Sequence, residues 1–151
     1  MTSAFRFLFS TFFFSFVNAQ TFEEISFGDD FSLDIATWNI EWFPKNNQVT
    51  INYIVEIINH LDLDILAIQE IDNTLLFDQM LDSLPNYTGY YESNWFAGLG
   101  YIYKTEAVEI NDIYEIYTTS EYWNAFPRSP MVMDMSFRAV SYTHLRAHET
   151  V

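Results

Sequence analysis

The sequence predicts an α/β domain with parallel strand pairing near its start. An apolar, strand-like run from Ser32 to Phe43 comes first. A helical stripe from Ile51 to Leu61 follows, and then a short apolar run from Ile65 to Ile68. Strand, helix, strand in that order fits a βαβ unit, whose crossover makes the two strands parallel. The chain has 151 residues, half of them hydrophobic and 19% aromatic. That is enough for one packed domain or a large part of one, and too apolar for a disordered chain.

In the first strand, Leu33, Ile35, Thr37 and Asn39 share one face, and Asp34, Ala36, Trp38 and Ile40 the other. Its near-continuous apolar character predicts burial on both faces. Continued alternation puts Glu41 beside Asn39, and Trp42 beside Ile40. Pro44 ends the strand, and Thr50 is the expected cap of the first helix. Ile51, Ile54, Val55, Ile58 and Leu61 form its apolar stripe. Asp72 or Asn73 caps a second helix with Leu75, Leu76, Met80, Leu81 and Leu84 on its core face, and Pro85 closes it. Strands are then expected at 87–91, 99–103, 108–117 and 131–137. Met131, Met133 and Met135 alternate in the last and read as core. The loop from Thr118 to Pro130 carries Trp123, Phe126 and Arg128, and its aromatics read as packing.

The net charge is -15, which excludes a broad basic surface of the kind that binds nucleic acid through counterion release. A nucleic-acid substrate would need local cations, either bound metal or a few Arg and Lys at the site. Cysteine is absent, which excludes disulfides, thiolate metal sites and cysteine nucleophiles.

Residues 1–19 read as a signal peptide. Arg6 precedes a Phe-rich apolar run from Phe7 to Val17, and Val17-Asn18-Ala19 offers a small-x-small cleavage pattern before Gln20. The run is short for a membrane span, so an exported protein, secreted or periplasmic, with no stable span after cleavage is expected. At the other end, Val140 to Thr150 resembles a translated transposase adapter from sequencing libraries. Residues 140–151 are read as an artefactual tail, together with the i, i+4 pair His144 and His148. Residues 20–139 form the body.

Asn39 and Glu41 stand at the end of one apolar strand, and Glu70 at the end of the next. Polar groups there are costly to desolvate unless something binds them. A hard cation with oxygen ligands satisfies that demand. In a parallel sheet, functional groups collect at the carboxyl ends of strands, where all three lie. The sequence thus places a metal between the two strand ends.

Four segments resemble, in order and spacing, the endonuclease/exonuclease/phosphatase family, which includes deoxyribonuclease I. They are Trp38-Asn39-Ile40-Glu41, Ile68-Gln69-Glu70-Ile71, Gly98 to Lys104 and Phe126-Pro127-Arg128-Ser129-Pro130. The resemblance covers residues 30–139. It implies a four-layer α-β-β-α sandwich of the deoxyribonuclease I-like type, of which this chain holds about the N-terminal half. It implies phosphate-ester hydrolysis with Mg2+, or Mn2+ or Ca2+. Glu70 matches the main carboxylate metal ligand, and Asn39 the asparagine that orients site and phosphate. Glu41 matches a position that assists the metal, Arg128 the arginine that reaches the phosphate, and Phe96 an aromatic placed against substrate.

The family's catalytic histidine, Gly-Asp-x-Asn motif and terminal Asp-His pair do not occur before Ala139, and His60 in the first helix does not replace them. The expected function is therefore an exported metal-dependent phosphodiesterase acting on nucleic acid, inactive in this form. The alternatives are a phospholipid or sugar-phosphate phosphatase of the same fold, or a non-catalytic binding domain.

Overall fold

The computed structural model describes residue 28 and residues 31–92 and 97–138. The expected leader, Phe96 and the adapter-like tail lie outside these. The elements are β1 (Ile35–Phe43), α1 (Asn47–Leu61), β2 (Ile65–Ile71), α2 (Thr74–Leu81), β3 (Tyr87–Glu92), β4 (Gly98–Lys104), β5 (Val108–Glu115) and β6 (Met131–Phe137). Strands β1 to β4 form a sheet in the order β1-β2-β4-β3, and β5 and β6 pair separately. The mixed α/β class is as expected, and β1 and β2 are parallel, in register from Ile35↔Ile65 to Asn39↔Gln69. The pairs β2–β4, β3–β4 and β5–β6 are antiparallel.

Both helices bury their apolar residues in one cluster with the sheet. Ile51, Ile54 and Ile58 of α1, and Phe77 and Met80 of α2, meet Ile40, Phe43, Leu66, Ile68, Ile71 and Ile102. Phe77 sits edge-on to both Phe43 and Tyr91, with ring centroids 5.9 and 5.6 Å away. Edge-to-face rings of this kind add about 0.5–1.5 kcal/mol per pair beyond burial.

Three details depart from the sequence reading. Strand β1 is covered on one face only: Ile35 is 53% exposed, and Thr37 and Asn39 on the same face are exposed too. Helix α1 starts at Asn47, before Thr50. The Thr50 hydroxyl accepts from the Asn46 N–H at 2.9 Å, so it satisfies an end group from inside the first turn. In α2, Leu75 is 67% exposed and Phe77 takes the core position. Two residues of helix turn the side chain by about 200°, so these two cannot share a face. The Asn73 cap is as expected, its Oδ1 accepting from Leu76 N at 3.0 Å.

The uncovered face of the large sheet turns toward the small one. The Tyr101 hydroxyl of β4 donates to the Met131 carbonyl of β6 at 2.9 Å. Met131, Met133 and Met135, expected in the core, share a face of β6 with Phe137 and are only half-buried, because β5 and β6 pair in a separate two-stranded sheet. Among the described residues, no helix is long and apolar enough to cross a membrane.

Candidate functional site

The strands β1 and β2 run in parallel register up to Asn39 and Gln69, and then both leave the ladder. On β1 the pairing skips from Asn39 to Phe43, and on β2 from Gln69 to Ile71. The antiparallel partner β4 makes the same jump, pairing Leu99 with Gln69 and Gly98 with Ile71. Glu70 is thus an extra residue, paired with neither neighbour. It has a φ of 69°, while Glu41 and Trp42 have φ of 44° and 52°. For residues other than glycine, each such angle costs on the order of 1–3 kcal/mol, and bulges of this type re-aim side chains at strand ends.

Buried anchors on each side hold the strained segment. Ile40, Phe43 and Ile71 are all in the core. The Phe43 carbonyl accepts from the N–H groups of Asp72 and Asn73 at 3.2 and 3.0 Å. The end of β1 is therefore tied to the start of α2, just past Glu70.

Between these anchors lies a compact polar cluster. The Asn39 Nδ2 donates to Glu70 Oε1 at 3.0 Å, and the Asn39 Oδ1 accepts from Glu41 N at 2.9 Å. The two partners fix the amide's orientation, since a backbone N–H only donates and a carboxylate only accepts. The Trp42 N–H donates to Glu70 Oε2 at 3.2 Å. The Arg128 guanidinium, from the β5–β6 loop, lies 3.8 Å from Glu70 Oε1. That is an ion pair beyond hydrogen-bond reach, so its donors are not spent on Glu70. The Asn39 hydrogen bond is the largest influence on Glu70 and holds its carboxyl below the ordinary 4.5. The Trp42 N–H and Arg128 act in the same direction, against a partial desolvation that raises it. Glu70 is 18% exposed in its side chain, and each of its oxygens keeps a lone pair for a further partner.

The structure brings Asn39, Glu70 and Arg128 together from β1, β2 and a distant loop. It gives the Glu41 carboxylate to Lys45, in an exposed i, i+4 ion pair. Trp42 is 51% exposed, because the positive φ angles break the alternation that would have set it beside Ile40. His60 is in the last turn of α1, next to the start of β2. Glu70 lies at the other end of that strand, some five residues or roughly 17 Å farther along. Among the described residues, no three acid, histidine or cysteine side chains converge to hold an ion by themselves. The donors present fit an ion that takes one or two carboxylates and leaves its other positions to water and phosphate, as Mg2+ does.

Two contributors escape a reading by residue type. The Trp42 N–H is a backbone group aimed by an unusual dihedral, and no glycine or asparagine marks that position. Gln69, whose Nε2 donates to the Thr37 hydroxyl at 2.6 Å, braces the same face one residue before Glu70. Its signal was the cross-strand register, which follows once β1 and β2 are known to be parallel.

A mixed α/β sheet thus gathers an amide, an acid and an arginine at its strand ends. The sequence profile of the Endonuclease/Exonuclease/phosphatase family matches residues 36–145, most of the chain, and the chain belongs to that family. Its members are phosphoester hydrolases that generally use divalent metals. No curated protein matches the sequence. Among solved structures, the chain resembles a humanized D. rerio TDP2 at 16% identity and a TM-score of 0.58, over 71% of this chain and 45% of the other. It resembles D. rerio TDP2 complexed with single strand DNA product at 15% identity and the same score, over 71% and 42%. An endonuclease/exonuclease/phosphatase from Bacteroides vulgatus matches at 20% identity and a TM-score of 0.46, over 54% and 35%. The fold is thus of the deoxyribonuclease I-like type, and the chain spans less than half the length of the TDP2 structures.

Replacing Asn39 by Ala removes the strongest influence that keeps Glu70 ionised, so the Glu70 pKa rises toward 4.5. A side-chain carboxyl titration followed by carbon NMR measures this. The lowered pKa stabilises the fold above the ordinary value, and that stabilisation is lost as pH falls through the folded pKa. The stability gap between wild type and Asn39→Ala therefore narrows on acidification through that range. An unchanged Glu70 pKa in the variant would contradict the assigned cause.

Proposed function

We propose that this chain carries the metal- and phosphate-holding part of an exported, metal-dependent phosphodiesterase that acts on nucleic acid. The observation that supports it most is Glu70 itself: unpaired in its sheet, ionised, fixed through both oxygens and 3.8 Å from Arg128. A purely structural strand-end acid needs no such strained backbone around it. Membership of a family of phosphoester hydrolases supports the reaction class. The single strand DNA product held by a D. rerio relative of the same fold supports nucleic acid as the substrate class.

In this reading Glu70 holds the divalent ion, with Glu41 as a second carboxylate once it swings from Lys45. When bound, such an ion polarises a phosphoryl oxygen and offsets charge as the ester bond breaks. Asn39 orients the Glu70 carboxylate and lowers its pKa through one hydrogen bond and secures the bulge through the other. The Trp42 N–H fixes the second oxygen. Arg128 offers its N–H fork to phosphate oxygens, a charge-assisted contact of the strong kind. No described side chain stands ready to take a proton from an attacking water, since His60 is at the far end of the sheet. The proposal is therefore that this polypeptide binds and does not turn over.

Titration of the full chain with Mn2+, read by calorimetry, tests both halves. Glu70→Gln is expected to abolish measurable binding. Asn39→Ala, which acts through Glu70, is expected to weaken it by about 10- to 100-fold. With magnesium, no hydrolysis of duplex DNA or RNA is expected. Equal Mn2+ affinity in wild type and Glu70→Gln overturns the metal assignment. Turnover that Glu70→Gln abolishes overturns the inactivity. Export rests on the leader alone: expression in a secreting host should yield a mature protein beginning at Gln20, and a product retaining Met1 would refute it.

A further inference from the structure

The loop that delivers Arg128 also presents a group of aromatic rings. Tyr117 and Phe126 stack with centroids 5.1 Å apart and planes 8° from parallel, and Tyr122 leans on Tyr117 at 4.8 Å. The loop is closed at its base by Ile116 N donating to the Pro130 carbonyl at 3.0 Å. It is turned internally by the N–H groups of Ala125 and Phe126, which share the Tyr122 carbonyl at 2.9 and 2.8 Å. Trp123 stands out from it, 59% exposed. Beside Phe126 is a pocket of about 440 Å3, lined among the described residues by Ala125, Phe126, Pro127 and Arg128. That volume is in the range of small-ligand sites.

Arg128 belongs to both places. It lines the pocket, and it lies 3.8 Å from Glu70. A phosphate bound at Arg128 thus leaves the group attached to it beside a pocket that has the Phe126 ring in its wall. The other described cations are engaged elsewhere: Lys45 with Glu41, Lys104 with Asp62 at 2.8 Å, and Arg138 with Glu109 at 3.1 Å. In a chain of net charge -15 no basic track follows a nucleic-acid backbone, and an anionic lipid surface is repelled. A flat, uncharged ring beside a single phosphate is the chemistry that suits an aromatic wall with one cation at its edge.

We propose that this pocket takes one unstacked nucleobase of a single-stranded nucleic acid, with the adjoining phosphate at Arg128 beside Glu70. The proposal rests on the nucleic-acid reading above and names the form of its substrate. Stacking on the Phe126 ring supplies the affinity, and Arg128 supplies the position. Binding through stacking releases few counterions, so it depends weakly on salt, unlike binding along a basic groove.

The test is fluorescence anisotropy of the full chain with a labelled 5′-phosphorylated tetrathymidylate and the same strand carrying an abasic residue next to the phosphate. The base-bearing strand is expected to bind wild type about tenfold or more tightly, in keeping with base–aromatic stacking of about 5- to 150-fold per base. That preference should disappear in Phe126→Ala, with folding checked by circular dichroism, and persist in Phe126→Trp, which keeps a ring at the same place. Affinity should change little between low and moderate salt. Equal binding of the two strands by wild type, with Arg128→Ala still weakening both, overturns the stacking subsite and leaves the phosphate reading standing. Binding of neither strand, or preference for a short-chain phospholipid, overturns the nucleic-acid reading and the subsite with it.

Discussion

The carboxylate of Glu70 accepts one hydrogen bond from the Asn39 amide and another from the Trp42 N–H. Both donors reach it only because β1 leaves its ladder after Asn39 while β2 inserts Glu70 as an unpaired residue. A regular strand pair would have set Glu70 opposite a β1 residue and pointed its side chain by strict alternation. The cost is three residues other than glycine at positive φ, and the return is a fixed, ionised acid at a strand end. The core sustains that cost: Phe43 and Ile71 are buried on either side, and the Phe43 carbonyl binds the first N–H groups leading into α2. Relaxing the bulges would require pulling these residues out of the packed cluster.

Electrostatics follow from the same arrangement. The chain is strongly acidic, yet the candidate site joins its key carboxylate to a guanidinium held at 3.8 Å. The lowered pKa of Glu70 comes first from Asn39 and only afterwards from Arg128. Removing the arginine therefore leaves most of that lowering in place, while removing the asparagine loses its largest cause and the orienting hydrogen bond together. This separates an orienting residue from a residue free to meet an anion.

Much of the fold was legible from residue pattern. The strand–helix–strand order fixed the parallel pair, the Asn73 cap marked α2, and the alternating methionines marked β6 with the observed bounds. Asn39 and Glu70 stood out as polar groups at the ends of two apolar strands and Arg128 came from motif resemblance, and the fold brings them together across 31 residues of separation in one case and a loop between β5 and β6 in the other. Periodicity misled in two ways. It extended alternation through Glu41 and Trp42, where the backbone turns to positive φ with no glycine to announce it. It also counted Leu75 in the core, because a leucine-rich run does not reveal which of its residues a neighbouring Phe77 displaces. Coverage of β1 on both faces was inferred from apolar content alone, whereas Thr37 and Asn39 already marked its polar side.

In the proposed function, the bulged strand ends of β1 and β2 aim Glu70 at a divalent ion. Crystals of the full chain grown with Mn2+, with anomalous scattering recorded near the manganese edge, test it most directly. An anomalous peak is expected within coordination distance of the Glu70 carboxylate, with Asn39 and Trp42 still bonded to that carboxylate. A peak at other acids with Glu70 left bare, or no peak in crystals where Glu70 is accessible to solvent, would contradict it.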